Sequence, residues 1–195
     1  SAHSAIPFGS GGIDGFIFPF PSHDLVTFRG TNELRDWLTN LEGHKIEHTW
    51  GKVHLGFWNA WVLVASQVRT LIGNHPIILA GHSLGGALAT VAASQLHRQT
   101  KEVVTFGAPR VGDRVFARNW ADVLGARSKR FHFKHDPIPL VPGLMIGYRH
   151  AIPATWFDGC RWRTGPSLLS WFWAAWFPFR CLQDHNLKNY VEALP

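Results

Sequence analysis

The segment Gly81-His82-Ser83-Leu84-Gly85 has the G-x-S-x-G spacing that suits a serine nucleophile. Such a serine stands on a sharp turn between a strand and a helix, and the two glycines let crowded backbones pass closely. The following helix directs its N-terminal N–H groups toward a developing oxyanion. The neighbouring sequence fits, because the apolar run PIILA precedes the motif and small residues follow it. The alternative interpretation is a tight turn that merely contains glycine and serine.

A serine nucleophile needs a histidine base, and the base needs a carboxylate to orient it. When the serine follows a strand in this way, the chain order is Ser, then Asp or Glu, then His. His185 lies in a predicted loop before the last helix, where its ring is able to reach the serine, so we predict that it is the base. The other histidines after the serine lie in predicted elements or beside the best acid: His97, His132, His135 and His150.

The best candidate for the acid is Asp136, which follows the predicted strand FHFKH and precedes a proline that stiffens the loop. Asp184 is adjacent to His185, and a neighbour in sequence rarely orients a histidine ring well, which disfavours Asp184 as the acid. The other aspartates after the serine are a predicted helix cap, a helix residue and two alternatives that remain open: Asp113, Asp122, Asp158 and Asp184.

Short apolar runs alternate with helical patterns along the chain. The predicted strands are DGFIF, HDLVTFRG, PIILAG, EVVTFG and KRFHFKH. The predicted helices are NELRDWLTNL, GFWNAWVLVASQVRTLI, LGGALATVAASQLHRQ, DRVFARNWADVL and DHNLKNYVEAL. This alternation predicts an α/β fold with a parallel sheet. Ligands of such sheets bind beyond the carboxyl ends of the strands, where the candidate residues fall.

The chain has 195 residues, which favours one domain over residues 1–195, with the glycine-rich residues 1–12 loose. Hydrophobic residues make up 46% and charged residues 16%, which is typical of a globular chain. The net charge is +6, but lysine and arginine are scattered rather than clustered, so nucleic-acid binding is not expected. Weak attraction to an anionic lipid–water interface fits this charge.

Six segments, in the same order, resemble the class 3 lipase family, the fungal-lipase-like branch of the α/β-hydrolases. They are VTFRGT (26–31), KVHLGFWNAW (52–61), GHSLGG (81–86), VTFGAPRVGD (104–113), HDPIPLVP (135–142) and DHNLKNY (184–190). The resemblance implies an α/β-hydrolase fold with a mostly parallel central sheet and helices on both faces. It also implies a serine-dependent carboxylic ester hydrolase, most of all a triacylglycerol lipase, with Ser83 as nucleophile, Asp136 as acid and His185 as base.

The resemblance further implies an oxyanion hole made by Thr31 and the backbone N–H of Leu84. Thr31 is alternatively a helix N-cap. The family's lid position corresponds to NELRDWLTNL, whose apolar candidates to face the site are Trp37 and Leu38. Two histidines at positions where the family tends to have histidine are interpreted as structural: His54 and His150. The mechanism needs no metal or organic cofactor, so none is expected.

A tryptophan-rich insert at residues 160–181 has no counterpart in this resemblance. It leads into the loop of His185, so we predict a lid, an acyl-binding surface or an interface patch that uses Trp171, Trp173 and Trp176. The alternative is a helix packed into the core. Its uncharged part is shorter than the ~20 residues that span a bilayer, so no membrane span is expected. The two cysteines at its ends form either one disulfide or two free thiols: Cys160 and Cys181.

The same three residues also serve a phospholipase A1, a feruloyl esterase or a short-chain carboxylesterase, and the sequence does not separate these. The aromatic insert favours a lipid substrate and a lipid–water interface over a sugar-linked ester. A remote alternative is an inactive hydrolase scaffold that binds lipid. Secretion is favoured over a cytoplasmic location.

Overall fold

A computed structural model of the chain describes residues 4–30, 43–164 and 182–194. Ten strands lie in these ranges: β1 (Ile6–Ser10), β2 (Ile13–Phe20), β3 (His23–Phe28), β4 (Lys45–His48), β5 (Gly51–His54), β6 (Ile77–His82), β7 (Thr100–Phe106), β8 (Ser128–Phe133), β9 (Thr155–Phe157) and β10 (Trp162–Thr164). The predicted helix at residues 32–41 lies outside them.

Eight strands form one sheet in the order β1-β2-β3-β6-β7-β8-β9-β10, and β4 and β5 form a separate hairpin. The pairs from β3 through β6, β7 and β8 to β9 are parallel, whereas β1-β2-β3 and β9-β10 are antiparallel. The predicted mostly parallel sheet is therefore confirmed. Its parallel strands bring their carboxyl ends to one edge.

Four α-helices are described: α1 (Leu55–Ile72), α2 (Leu84–Gln95), α3 (Arg114–Leu124) and α4 (Leu187–Ala193). Single 3₁₀ turns occur at Gly125–Arg127, Ile138–Leu140, Leu144–Ile146 and Leu182–His185. Asp113 caps α3 as predicted, because its carboxylate accepts a hydrogen bond from the N–H of Phe116 at 2.8 Å. In the described part of the chain, no helix is long and apolar enough to cross a membrane.

The core lies between the sheet and the helices. α2 contacts both β6 and β7, and small residues at its buried positions let its backbone lie close to the sheet. α1 buries a stripe that follows the predicted helical spacing: Phe57, Trp61, Val64, Val68 and Ile72. Leu71 has the same apolar character but is exposed, and Ile72 is buried instead. The 3.6-residue helical repeat carries the stripe to position 72.

The N-terminal segment is not loose throughout, and this expectation is wrong for residues 6–10. β1 pairs with β2 across a two-residue turn, in which Gly11 and Gly12 have φ of 57° and 80°. Two positive φ values in a two-residue loop suit the twist of a hairpin, and glycine adopts them without steric cost. The Gln67 side-chain amide also binds both the N–H and the C=O of Gly9, at 3.2 Å each.

Candidate active site

Ser83 forms the turn between β6 and α2 and is one of two described non-glycine residues with positive φ (φ 57°, ψ −127°). Glycine is required at Gly81 and Gly85, because neighbouring backbone leaves no room for a side chain. A Cβ on Gly81 would lie 2.2 Å from the backbone of Gly85, and one on Gly85 would lie 2.1 Å from the carbonyl of Phe28. Both distances are shorter than any tolerated contact, so the G-x-S-x-G spacing follows from the close passage of three backbone segments.

Asp136 and His185 form a buried pair in which the ring Nδ1 donates to the carboxylate Oδ2 at 2.7 Å. Asp136 follows β8 and is fully buried, and His185 ends the 3₁₀ turn before α4. Two more donors reach the carboxylate: the N–H of Ile138 to Oδ1 at 2.9 Å and the hydroxyl of Tyr190 to Oδ2 at 2.6 Å. The carboxylate is therefore held in one orientation by three hydrogen bonds.

Burial alone would raise the pKa of Asp136. The charge of His185 and its hydrogen bond outweigh burial, with help from Tyr190, and hold the pKa of this carboxyl below its ordinary value. Asp136 is therefore ionised at neutral pH. An ionised carboxylate keeps the proton of the neutral His185 ring on Nδ1 and leaves Nε2 able to accept another proton.

The three neighbouring strands β6, β7 and β8 bring these groups to one edge. Ser83 follows β6, Gly107 follows β7, and Asp136 comes three residues after β8. A Cβ on Gly107 would lie 2.6 Å from Oδ2 of Asp136 and 3.0 Å from Nδ1 of His185, so this position must be glycine. Gly107 was not identified from the sequence, although its place directly after a predicted strand was an indication.

The two atoms that the sequence predicts to react are both buried. Neither Oγ of Ser83 nor Nε2 of His185 has a hydrogen bond within the part of the chain that the structure describes. Buried polar groups are rarely left unpaired, and the exceptions concentrate where a ligand or reaction completes the bonding. Hydrogen bonds of this kind are often long in unliganded enzymes and tighten when substrate binds.

His82 packs against His185 and was not singled out from the sequence. Its ring centroid is 4.4 Å from that of His185 and 5.8 Å from that of Tyr190. Burial, followed by the nearby charge of His185, lowers the pKa of His82 to about 4, although Asp136 opposes the shift. The His82 ring is therefore neutral at pH 7 and adds no positive charge beside His185.

One of the two predicted oxyanion donors lies in the described structure. Leu84 is the first residue of α2, so its N–H has no acceptor within the helix and lies beside Ser83. The chain that precedes Thr31 passes close by, since a Cβ on Gly30 would lie 3.5 Å from Cβ of Ser83. Thr31 itself lies outside the described residues, and its role stays a prediction.

Several predicted residues also lie outside the described ranges: Trp37, Leu38, Trp171, Trp173, Trp176 and Cys181. Cys160 is exposed, and because Cys181 lies outside the described residues, its pairing with Cys160 stays a prediction. The backbone N–H of Cys160 donates to the carboxylate of Asp158 at 3.0 Å, in a surface turn before β10.

The two aspartates that remained open as alternatives for the acid have other partners. Asp184 faces His135 at 3.6 Å, and Asp158 faces Arg163 at 2.7 Å. His54 and His150 have contacts that fit a structural role. His54 caps α1 by accepting from the N–H of Gly56, and Nε2 of His150 lies 2.6 Å from a main-chain carbonyl. Across residues 4–30, 43–164 and 182–194, no group of three or more potential ligands could hold a metal ion.

The sheet order and the strand–serine–helix turn define an α/β-hydrolase fold. The family model for lipase (class 3) matches residues 25–145, and the chain belongs to this family. A lipase from Rhizopus microsporus var. chinensis superimposes with a TM-score of 0.73 at 28% identity, covering 93% of this chain and 72% of that one.

Curated relatives include lipases of several fungi. The secreted mono- and diacylglycerol lipase 1 of Fusarium solani is 36% identical over 147 residues, which is 69% of this chain and 44% of the relative. A lipase of Rhizopus oryzae is 30% identical over 148 residues, which is 67% of this chain and 38% of the relative. The chain therefore matches less than half the length of each of these two relatives.

Proposed function

We propose that this protein is a serine-dependent carboxylic ester hydrolase that acts on acylglycerols. The observation that supports this most is the buried Ser83 hydroxyl on a positive-φ turn, at the same sheet edge as the Asp136–His185 pair. The proposed roles are nucleophile for Ser83, base for His185 and orienting acid for Asp136.

In the proposed reaction, Nε2 of His185 takes the proton of the Ser83 hydroxyl while Oγ attacks the ester carbonyl carbon. Asp136 stabilises the charged imidazole. The negative charge on the tetrahedral oxygen develops near the N–H of Leu84, and Thr31 would supply a second donor. His185 then protonates the departing alcohol. Water, deprotonated by the same ring, attacks the acyl-enzyme and releases the carboxylic acid and free Ser83.

The acylglycerol substrate is supported by the relatives, which are named as mono- and diacylglycerol lipases or lipases. Several of these names include the word secreted, which supports secretion of this protein as well. The enzyme would encounter such a substrate at a lipid–water interface. Triacylglycerol, the substrate expected from the sequence, and diacylglycerol are both within this proposal.

The proposal is tested with nitrophenyl esters from acetyl to palmitoyl, followed by emulsions of tri- and diacylglycerol and of phosphatidylcholine. We expect long-chain and acylglycerol hydrolysis, and a loss of kcat by roughly 10⁴-fold or more in Ser83→Ala. Activity that survives this substitution would remove Ser83 as the nucleophile. A preference for acetyl esters, or for phosphatidylcholine, would instead identify a short-chain esterase or a phospholipase.

A further inference from the structure

Three consecutive apolar side chains project from the surface in the 3₁₀ turn Leu144–Ile146, which lies between Gly143 and Gly147. Leu144 is 43% exposed, Met145 98% and Ile146 52%. Single exposed apolar residues are normal on soluble proteins, but a contiguous apolar surface marks a contact site. We call this turn the apolar tip.

The backbone of the apolar tip is firmly held, so its exposure is not a result of fraying. The guanidinium of Arg149 donates to the carbonyl of Leu144 at 2.9 Å, and Nζ of Lys45 donates to the carbonyl of Ile146 at 2.6 Å. The N–H of Gly147 also donates to the carbonyl of Leu144, at 3.0 Å. Because these carbonyls already have donors, the turn can enter an apolar phase without leaving them unsatisfied.

The position of the apolar tip links it to the candidate active site. The chain passes from Asp136 through the 3₁₀ turn Ile138–Leu140 directly to the tip. Below the tip, the hydroxyl of the buried Tyr148 donates to the carbonyls of Gly43 and His44, at 3.3 and 3.2 Å. A Cβ on Gly43 would lie 2.8 Å from Cδ1 of Ile146, so the tip also contacts the chain that follows the predicted lid segment.

The cationic side chains beside the apolar tip indicate the kind of surface that the tip contacts. Lys45 and Arg149 flank the tip, and neither forms an ion pair with a carboxylate in the part of the chain that the structure describes. The whole chain has a net charge of +6. Apolar side chains with cations beside them match a lipid surface that has apolar chains below anionic headgroups.

We propose that the apolar tip inserts into the lipid–water interface, with Lys45 and Arg149 at the level of the headgroups. This inference deepens the proposed function, since it assigns the contact by which an acylglycerol surface is held near the candidate active site. Met145, as the most exposed of the three residues, penetrates furthest.

The test is sedimentation with vesicles of phosphatidylcholine and phosphatidylglycerol, using Ser83→Ala so that lipid is not consumed. In that background, Met145→Asp should lower the partition coefficient onto the vesicles about 10-fold. Burying the Met side chain in the apolar part of the lipid is favourable, whereas burying a carboxylate there is not. Val123→Asp is the matched control, since Val123 is 40% exposed near the end of α3, and its carbonyl accepts from Arg127 beside Thr100, at the amino-terminal end of β7. It should bind like the parent.

A gain of binding provides a second measurement. Met145→Trp should bind the same vesicles several-fold more tightly, because tryptophan favours the interface. With Ser83 present, Met145→Asp should hydrolyse a soluble acetyl ester at the wild-type rate, within about twofold. Absent vesicle binding, or binding that neither Met145 substitution alters, would overturn the role of the tip. Absent ester hydrolysis in the wild type would overturn the proposed function and leave the binding result to stand by itself.

Discussion

The imidazole rings of His82 and His185 lie with their centroids 4.4 Å apart and their planes 31° from parallel. His82 is neutral at pH 7 because burial lowers its pKa to about 4. The His82 ring therefore packs against His185 without opposing the positive charge that His185 gains in the proposed reaction.

His82→Ala should lower kcat on a soluble ester about 10-fold or more, because the ring of His185 loses the neighbour that limits its movement. Steady-state kinetics measure this. His82→Phe is the matched variant, since it restores a ring of similar size, and we expect it to recover a large part of the loss. If His82→Ala has the kcat of the wild type, the packing has no role in positioning His185.

Tyr190→Phe should lower the free energy of unfolding by about 1–3 kcal/mol. The hydroxyl of Tyr190 donates to Asp136 at 2.6 Å and accepts from the N–H of Phe133 at 3.0 Å, and both partners are buried. Urea denaturation measures the change. Val191→Ala, at the exposed neighbouring position, is the control and should change stability little. Equal stability of Tyr190→Phe and the wild type would contradict the bonding seen here.

Gly85→Ala should prevent folding of the serine turn and abolish ester hydrolysis, since the added methyl group would lie 2.1 Å from the carbonyl of Phe28. Gly143→Ala is the matched control, because a Cβ at that glycine meets nothing within 4 Å and φ there is −64°. Circular dichroism and activity distinguish the two variants. A folded, active Gly85→Ala would mean that the backbones at Gly85 and Phe28 lie further apart than in this structure.

Stability should fall as the pH is lowered below about 6.5. His82 and His132 are buried and their folded pKa values are lowered to about 4 and about 3, mainly by burial, whereas the unfolded chain titrates near 6.5. Between these values the unfolded state binds more protons, so each histidine costs up to about 1.4 kcal/mol per pH unit as the pH falls. Asp136 adds a further loss below its unfolded pKa, because its folded pKa is depressed.

Urea denaturation at pH 7, 6, 5 and 4 measures this slope. In His132→Gln the slope should be smaller, because one neutral buried imidazole is gone. A stability that is flat from pH 7 to pH 4 would show that these rings are protonated in the folded protein.

The sequence predicted the elements whose patterns are local. The apolar strand before Ser83, the helix stripe that begins at Phe57 and the cap at Asp113 each depend on residues close along the chain. Gly107, His82 and Tyr190 were not found, because their importance comes from contacts through space. The hydroxyl of Tyr190, for example, reaches a carboxylate 54 positions away. The strand β1 was missed because its glycine pair was interpreted as looseness, although it forms the hairpin turn.

The separation in the chain between Asp136 and His185 has a consequence for folding kinetics. The turn around Ser83 forms between a strand and a helix that adjoin in the chain, whereas the Asp136–His185 bond joins residues 49 positions apart. Contacts between distant positions form slowly, because a long loop must close before they add any stability. During refolding from urea, recovery of the helical signal should therefore precede recovery of ester hydrolysis, and enzyme activity would report the last docking event of the chain.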